Sequence, residues 1–422
     1  MKLKEKKVVT SFLRNRGEVL LLRRSEKVGS YQGRWGAVSG HLEDTPEHTA
    51  LQEIAEETGL EDAVSLVRKG VPFSVEDENL STRWVIFPFL FDCAHRDLRL
   101  DWETTEAAWV SPTRILYYDT VPQLWKSYAQ VAPSLEGIQA DRTHGSAYLS
   151  YRALEVLRDR AGCLYRNGKN TKSHWNTLRQ LAQSLVEVRP SMTAIANRVN
   201  RAMHASSGIQ SAQNLECVAH DMLTRAHEAD REAARQAATY VTGRRVFTLS
   251  RSGTLLDTLR NADPPPLIIV VAESRPGGEG IEVAEQFATT GYQVSLIPDS
   301  RIAQTFQQRE VDVALVGADA VLSSGSFINK IGTLAAALAA RYYDVPFYVV
   351  TAIDKCTNQD DVRLEVVEPS KGSSADEEVS TMCPLFEKIP PDLVTGFVTE
   401  RGMLLPEKMD TLVKELERIS VW

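Results

Sequence analysis

The rhythm of hydrophobic and polar positions changes twice along the chain. From Val8 to about Trp125, short β-branched and aromatic runs (residues 8–14, 18–24 and 83–94) read as strands, with Asn15-Arg16-Gly17 as a hairpin turn between the first two. A helix near residues 46–58 interrupts them and residues 106–112 close the set, which predicts a mixed α+β domain. From about Gly145 to Tyr240 helical periodicity takes over, in stretches 147–161, 175–188 and 230–241. After Gly243, strand-length apolar runs at 244–250, 267–274, 292–300, 311–319 and 345–352 alternate with helix-length segments. That alternation indicates an α/β, Rossmann-like parallel sheet, whose ligands sit at the carboxyl ends of the strands.

The predicted division is therefore a first domain at 1–130, a linker at 131–144, a helical segment at 145–240 and the parallel-sheet part at 241–422. Residues 369–378 read as an exposed loop, and no internal repeat is present. A chain of 422 residues is long enough for two such cores. A formal charge of -8 argues against whole-surface attraction to nucleic acid or an anionic membrane, and favours small-molecule or protein partners. Between Arg142 and Arg179, eight Lys/Arg stand against two Asp/Glu, which reads either as solvated helix faces or as a patch facing phosphate or a partner. Five scattered cysteines without a Cys-x-x-Cys pair, no apolar leader and no membrane-length apolar run predict a soluble protein of the cytoplasm.

The first candidate chemistry lies on the helix after Gly40. Asp44 or Thr45 can cap it, Pro46 suits its first turn, Glu47 complements its dipole and Gly59 stops it. At 100° per residue Ala50, Leu51, Ile54 and Thr58 share one side, and Glu53, Glu56 and Glu57 occupy the adjoining arc. Read alone, that arc is either a solvated acidic face or a seat for Mg²⁺ or Mn²⁺, hard cations that take oxygen ligands and engage phosphates. Its surroundings, Gly40 followed by Gln52-Glu53-Ile54-Ala55-Glu56-Glu57-Thr58-Gly59-Leu60, resemble the Nudix box. The loop before the helix is two residues shorter than in that motif, and Gln52 stands where an arginine is usual. The resemblance implies Mg²⁺-dependent hydrolysis of a nucleoside diphosphate linked to another group. It also implies Glu53, Glu56 and Glu57 as metal ligands, with Glu53 or Glu57 helping to activate water.

A second candidate site follows from the strand ends. Ser250-Arg251-Ser252-Gly253 leads a strand into a helix, a reasonable anion seat or an ordinary capped turn. Gly317-Ala318-Asp319 ends another strand, and Asn329-Lys330 with Gly332-Thr333 is read as opening the next helix. With Arg189-Pro190, Thr248-x-Ser250, Glu273-Ser274-Arg275-Pro276 and the run Thr399 to Pro406, these residues resemble the alpha, beta and delta subunits of translation initiation factor 2B. The methylthioribose-1-phosphate and ribose-1,5-bisphosphate isomerases are relatives of those subunits. The resemblance implies a dimer, with Asp319 and the residue at 250 as the proton-handling pair of an aldose-ketose isomerase. In the isomerases that second position is a cysteine; here Ser250, a far weaker acid, makes binding the better expectation than turnover. Arg189, Arg251, Ser252, Gly253, Arg275, Asn329 and Lys330 are then expected to hold a sugar phosphate or nucleotide. The whole reads as a Nudix-like hydrolase fused to a domain that binds, processes or senses the sugar phosphate released. The alternative is a non-catalytic regulator that docks on initiation factor subunits.

Overall fold

The computed structural model describes residues 3–166, 168, 172–358, 362, 364, 366–367 and 383–417, so the loop expected at 369–378 lies outside the described residues. The chain divides into two compact units, one of residues 1–134 with 158–174 and one of residues 135–157 with 175–422.

The first unit is built on an eight-stranded mixed sheet. Its strands are β1 (Lys4–Asn15), β2 (Glu18–Arg24), β3 (Trp35–Gly36), β4 (Val38–His41), β5 (Val64–Lys69), β6 (Phe73–Asp77), β7 (Thr82–Cys93) and β8 (Thr104–Val110). The central β1 and β7 run parallel, and β4 pairs antiparallel with β1. The hairpin turn falls where the sequence places it: Asn15 pairs with Glu18, and Arg16 and Gly17 both take positive φ, as a two-residue turn joining twisted strands requires. Helix α1 (Pro46–Thr58) packs Ala50 and Ile54 against Val9, Leu13 and Phe91, and α2 (Leu124–Val131) covers Phe12 and Leu90 with Leu124 and Tyr128.

In the second unit α3 (Leu135–Ala140) lies within the expected linker. Then come α4 (Ser146–Arg166) and α5 (Lys172–Glu187), whose residues 158–166 and 172–174 belong to the first unit, and α6 (Thr193–Ser206) and α7 (Ala212–Val241); together they account for the helical rhythm. The doubly wound part runs β9 (Arg245–Leu249), α8 (Gly253–Asn261), β10 (Ile268–Ala272), α9 (Glu279–Thr289), β11 (Val294–Ile297), α10 (Ile302–Gln307) and β12 (Val313–Val316). It continues through β13 (Ala320–Leu322), β14 (Phe327–Lys330), α11 (Thr333–Tyr342), β15 (Phe347–Val350), β16 (Cys356–Thr357), β17 (Val366–Val367), β18 (Cys383–Pro384), β19 (Phe386–Ile389), β20 (Gly396–Thr399), β21 (Gly402–Leu404) and α12 (Met409–Glu417).

The main sheet has the order β11-β10-β9-β12-β15-β20-β21, parallel except for the antiparallel edge strand β21. Pleating splits its side chains between two cores: Val246, Ile269 and Val271 face α7, α8 and α9, whereas Phe247, Leu249 and Val270 join the core of α10 and α11. That two-sided burial is why these strands read as continuous apolar runs. Because the chain leaves β9 toward β10 and returns on its other side at β12, the switch point lies between β9 and β12. A second, four-stranded sheet, β16-β13-β14-β19, was not anticipated. It puts Asn329 and Lys330 on strand β14 rather than on a helix; Gly332, at φ 98°, turns the chain into α11.

Candidate functional site

In the first unit, α1 begins as its sequence predicts. The Thr45 hydroxyl accepts the His48 amide at 3.3 Å, Pro46 fills the first turn, and Gly59 ends the helix at φ 66°. The buried face differs from expectation. Leu51 is 42% exposed, whereas Glu57 is only 8% exposed, its carboxylate accepting the Ser39 amide of β4 at 2.8 Å. Glu53 crosses directly over Gly40: a Cβ there would lie 1.6 Å from Glu53 Oε1, so this close approach requires glycine. Glu56 accepts from Gln52 at 2.9 Å, which gives Gln52 a positioning contact in place of an ion pair.

Glu53 and Glu56 line a cavity of about 410 Å³ together with Glu43 and Glu103, the latter at the start of β8. Its other walls are aromatic: Tyr31, His41, Trp84 and Trp102. His41 stacks on Trp84 with ring centroids 6.1 Å apart, Lys6 sits 5.3 Å over the same ring, and Tyr31 is oriented by a 2.7 Å hydrogen bond to Asp77. Burial pushes the Glu53 carboxyl up to about 7, helped by the negative charges of Glu56, Glu103, Glu43 and Asp101. Burial likewise raises Glu57 to about 8, against the pull of the Ser39 hydrogen bond.

None of these carboxylates forms an ion pair among the described residues, although Lys6 and Arg24 also line the cavity, and hard oxygen donors crowded in one cavity fit Mg²⁺ or Mn²⁺. No three His, Cys, Asp or Glu side chains form a ready-made metal cage among the described residues. Glu57 is the reason the three helix carboxylates do not converge: it points to β4 while Glu53 and Glu56 point to the cavity. An ion that keeps most of its waters needs only one or two protein carboxylates, so the donor set fits the cation. Glu43, Glu103 and the aromatic walls escaped the sequence reading, because they come from separate loops and strands that only the fold brings to Glu53.

In the second unit the predicted residues gather at the switch point. Ser250 follows β9 with φ 62° and donates its amide to Ser274 Oγ at 2.7 Å; Ser274 also has φ 62°. Asp299 clamps the Ser274 and Arg275 amides at 2.8 and 2.7 Å. Such backbone conformations in non-glycine residues concentrate at ligand sites. Ser252 stands at the N-cap position of α8 without a side-chain capping bond, and a Cβ on Gly317 would fall 2.7 Å from its hydroxyl, so the segments after β9 and β12 meet closely here.

Burial raises the Asp319 carboxyl, opposed by Lys355, Ser146 and Lys330. Lys355, which the sequence reading missed, is 3% exposed, donates to Ala318 O at 2.7 Å and is pushed down by burial. The α6 side chains Thr193, Asn197 and Arg198 hold the 353–355 turn that carries it.

Five of the expected phosphate-binding side chains already have partners. Arg189 bonds Asp141 O, Arg251 pairs with Glu282, Arg275 with Glu273 and Lys330 with Glu279, while Asn329 donates to Thr333. Nor is the basic run from 142 to 179 simply a solvated face: Arg152 and Arg158 are buried, paired with Glu155 and Asp159.

A carboxylate-lined cavity beside a glycine-ended helix, and a doubly wound sheet with polar residues at the ends of its strands, define the two halves by class. Residues 4–132 match the NUDIX domain. The chain belongs to the initiation factor 2 subunit family, which matches residues 142–406. It is similar to a putative methylthioribose-1-phosphate isomerase of Methanocaldococcus jannaschii, 31% identical over 175 residues that cover 39% of this chain and 53% of that protein. It is also similar to the methylthioribose-1-phosphate isomerase of Bacillus licheniformis, 27% identical over 57% of this chain and 75% of that one. The chain thus spans about half the length of the first of these relatives.

Among solved structures, translation initiation factor eIF-2B of Pyrococcus horikoshii OT3 superimposes with a TM-score of 0.58 at 27% identity, covering 65% of this chain and 96% of that one. The 5-methylthioribose 1-phosphate isomerase of the same organism shares the fold, with a TM-score of 0.55 at 19% identity over 74% of this chain and 90% of that one. No helix is long and apolar enough to cross a membrane among the described residues.

Proposed function

We propose that the NUDIX domain is a Mg²⁺-dependent hydrolase of nucleoside diphosphate-linked metabolites and that the second unit binds the sugar phosphate released. The observation that carries this reading is the cavity in which Glu53 and Glu56 face Glu43 and Glu103 beneath aromatic walls. Tyr31, Trp84 and Trp102 offer faces on which a nucleobase stacks, and the acidic end receives a diphosphate accompanied by its cation. Glu53 and Glu56 are the residues that would hold Mg²⁺ or Mn²⁺, while Glu57, turned to the Ser39 amide, would act behind them. When bound, the ion would polarise a phosphoryl oxygen and acidify a coordinated water. Gly40 keeps the Glu53 carboxylate in place, and Glu103, on the facing wall, is available to take a proton from the attacking water. A Mg²⁺-supplemented screen of nucleoside diphosphate conjugates with product identification tests the reading. Release of a nucleoside monophosphate and a sugar phosphate supports it, and no turnover of any conjugate refutes it.

The named relatives favour one further reading, aldose-ketose isomerisation by the second unit. The buried Asp319 carboxyl suits such a step, but Ser250 offers an alcohol, a far weaker acid than a thiol, which ranks binding above turnover. Ketose formation from methylthioribose 1-phosphate by the wild type would reverse that ranking. The same likeness makes homodimerisation through the second unit, a cytoplasmic location and docking on initiation factor subunits proposals, which co-purification and sedimentation decide.

A further inference from the structure

A single exposed apolar ring needs no explanation on a protein surface, so Trp102 is informative only through its setting. It is 58% exposed, the one exposed tryptophan among the described residues, and it lines the cavity that holds Glu53 and Glu56. Its backbone is pinned. The Glu103 amide donates to Asp101 Oδ1 at 3.0 Å, closing a turn with Trp102 at its centre, and the Ser25 amide donates to Glu103 O at 2.7 Å. Asp101 and Glu103, on either side of Trp102, both act electrostatically on Glu53. A fixed turn thus presents a wide apolar face beside the carboxylates that would hold the cation.

Of the three rings able to take a nucleobase, two are already engaged. Trp84 carries His41, stacked at an interplanar angle of 20°, and Lys6 over its ring. Tyr31 is tilted 48° against Trp84, and its hydroxyl donates to Asp77. Trp102 has neither a ring nor a cation against it among the described residues. A platform whose backbone is already held loses little freedom on binding, and stacking strength on such a face grows with the area of the base.

We propose that Trp102 is the specificity-determining residue of the NUDIX cavity: the nucleobase stacks on its indole, and a purine is preferred over a pyrimidine because it covers more of that face. The inference rests on the reading of this cavity as a nucleoside diphosphate site and adds which ring takes the base and which bases are favoured.

The test is isothermal titration of the full chain in Mg²⁺ with ADP, CDP and inorganic pyrophosphate, for wild type, Trp102→Ala, Trp102→Phe and, from the same loop, Leu100→Ala. Wild type binds ADP more tightly than CDP. Trp102→Ala weakens ADP about tenfold, brings ADP and CDP together and leaves pyrophosphate unchanged. Trp102→Phe keeps most of the ADP affinity, and Leu100→Ala keeps all of it. Circular dichroism confirms that each variant is folded.

ADP affinity that survives Trp102→Ala overturns the proposal. So does an equal loss for pyrophosphate, which would make the residue a support of the acidic end, and so does CDP binding as tightly as ADP in the wild type. If wild type binds pyrophosphate but ADP no more tightly, the base platform falls while the cation-diphosphate end stands. If it binds neither, the nucleotide reading itself falls and takes the proposal with it.

Discussion

At the scale of residues, the first site is governed by where carboxylates go when their charge is unmet. Glu53 and Glu57 bind protons more tightly in the fold than the ordinary value of 4.5, at about 7 and about 8. Folding with a raised carboxyl pKa gives stability that is full below the unfolded pKa and lost as pH rises through the folded one. Metal-free protein is therefore expected to lose stability between roughly pH 5 and pH 9, and Glu57→Gln, which keeps an acceptor for the Ser39 amide, to lose less of it. Urea unfolding in the presence of EDTA at both pH values checks this, and identical slopes for wild type and variant would count against it. Gly40→Ala is the companion experiment. The new methyl displaces the flexible end of Glu53, so conjugate hydrolysis falls more than about tenfold while stability shifts by less than about 1 kcal/mol. Retention of full activity would show that the Glu53 position is not used.

At the scale of elements, helix α1 was legible because its signals are local: a capping threonine, a proline in the first turn and a stop glycine. Thr45→Ala removes the cap and is expected to cost about 1 kcal/mol in thermal unfolding while leaving the cavity chemistry intact. A larger loss of activity than of stability would indicate that the cap also sets the Glu53 register. What α1 concealed was the direction of Glu57, which is decided by β4 beside it rather than by the helical wheel. The same distinction separates the sheets. The five strands of the doubly wound part that were expected all form; β9, β10, β12 and β15 are apolar runs buried on both faces, and only the edge strand β11 is partly exposed. Strands β13, β14, β16 and β19 are two to four residues long, too short for a periodic signal.

At the scale of the molecule, the first change of rhythm separates two compact units, and the second separates the helices from the parallel sheet within the second unit. The site residues supplied by each core were legible in unequal measure. Residues in short contiguous motifs, Glu53 to Glu57 or Gly317 to Asp319, were readable. Partners brought in by topology were not: Glu103 reaches the cavity through the start of β8, Glu279 meets Lys330 across 51 positions, and Lys355 arrives on a turn clamped by α6. Use of the Glu53 carboxylate for metal-dependent cleavage by the NUDIX domain is tested most directly by the rate of nucleoside monophosphate release from the best conjugate, titrated with Mg²⁺, for wild type and Glu53→Gln. Saturable Mg²⁺ dependence is expected in the wild type, with a fall of at least about a hundredfold in the variant. Hydrolysis that is insensitive to EDTA, or equal in the two proteins, would contradict it.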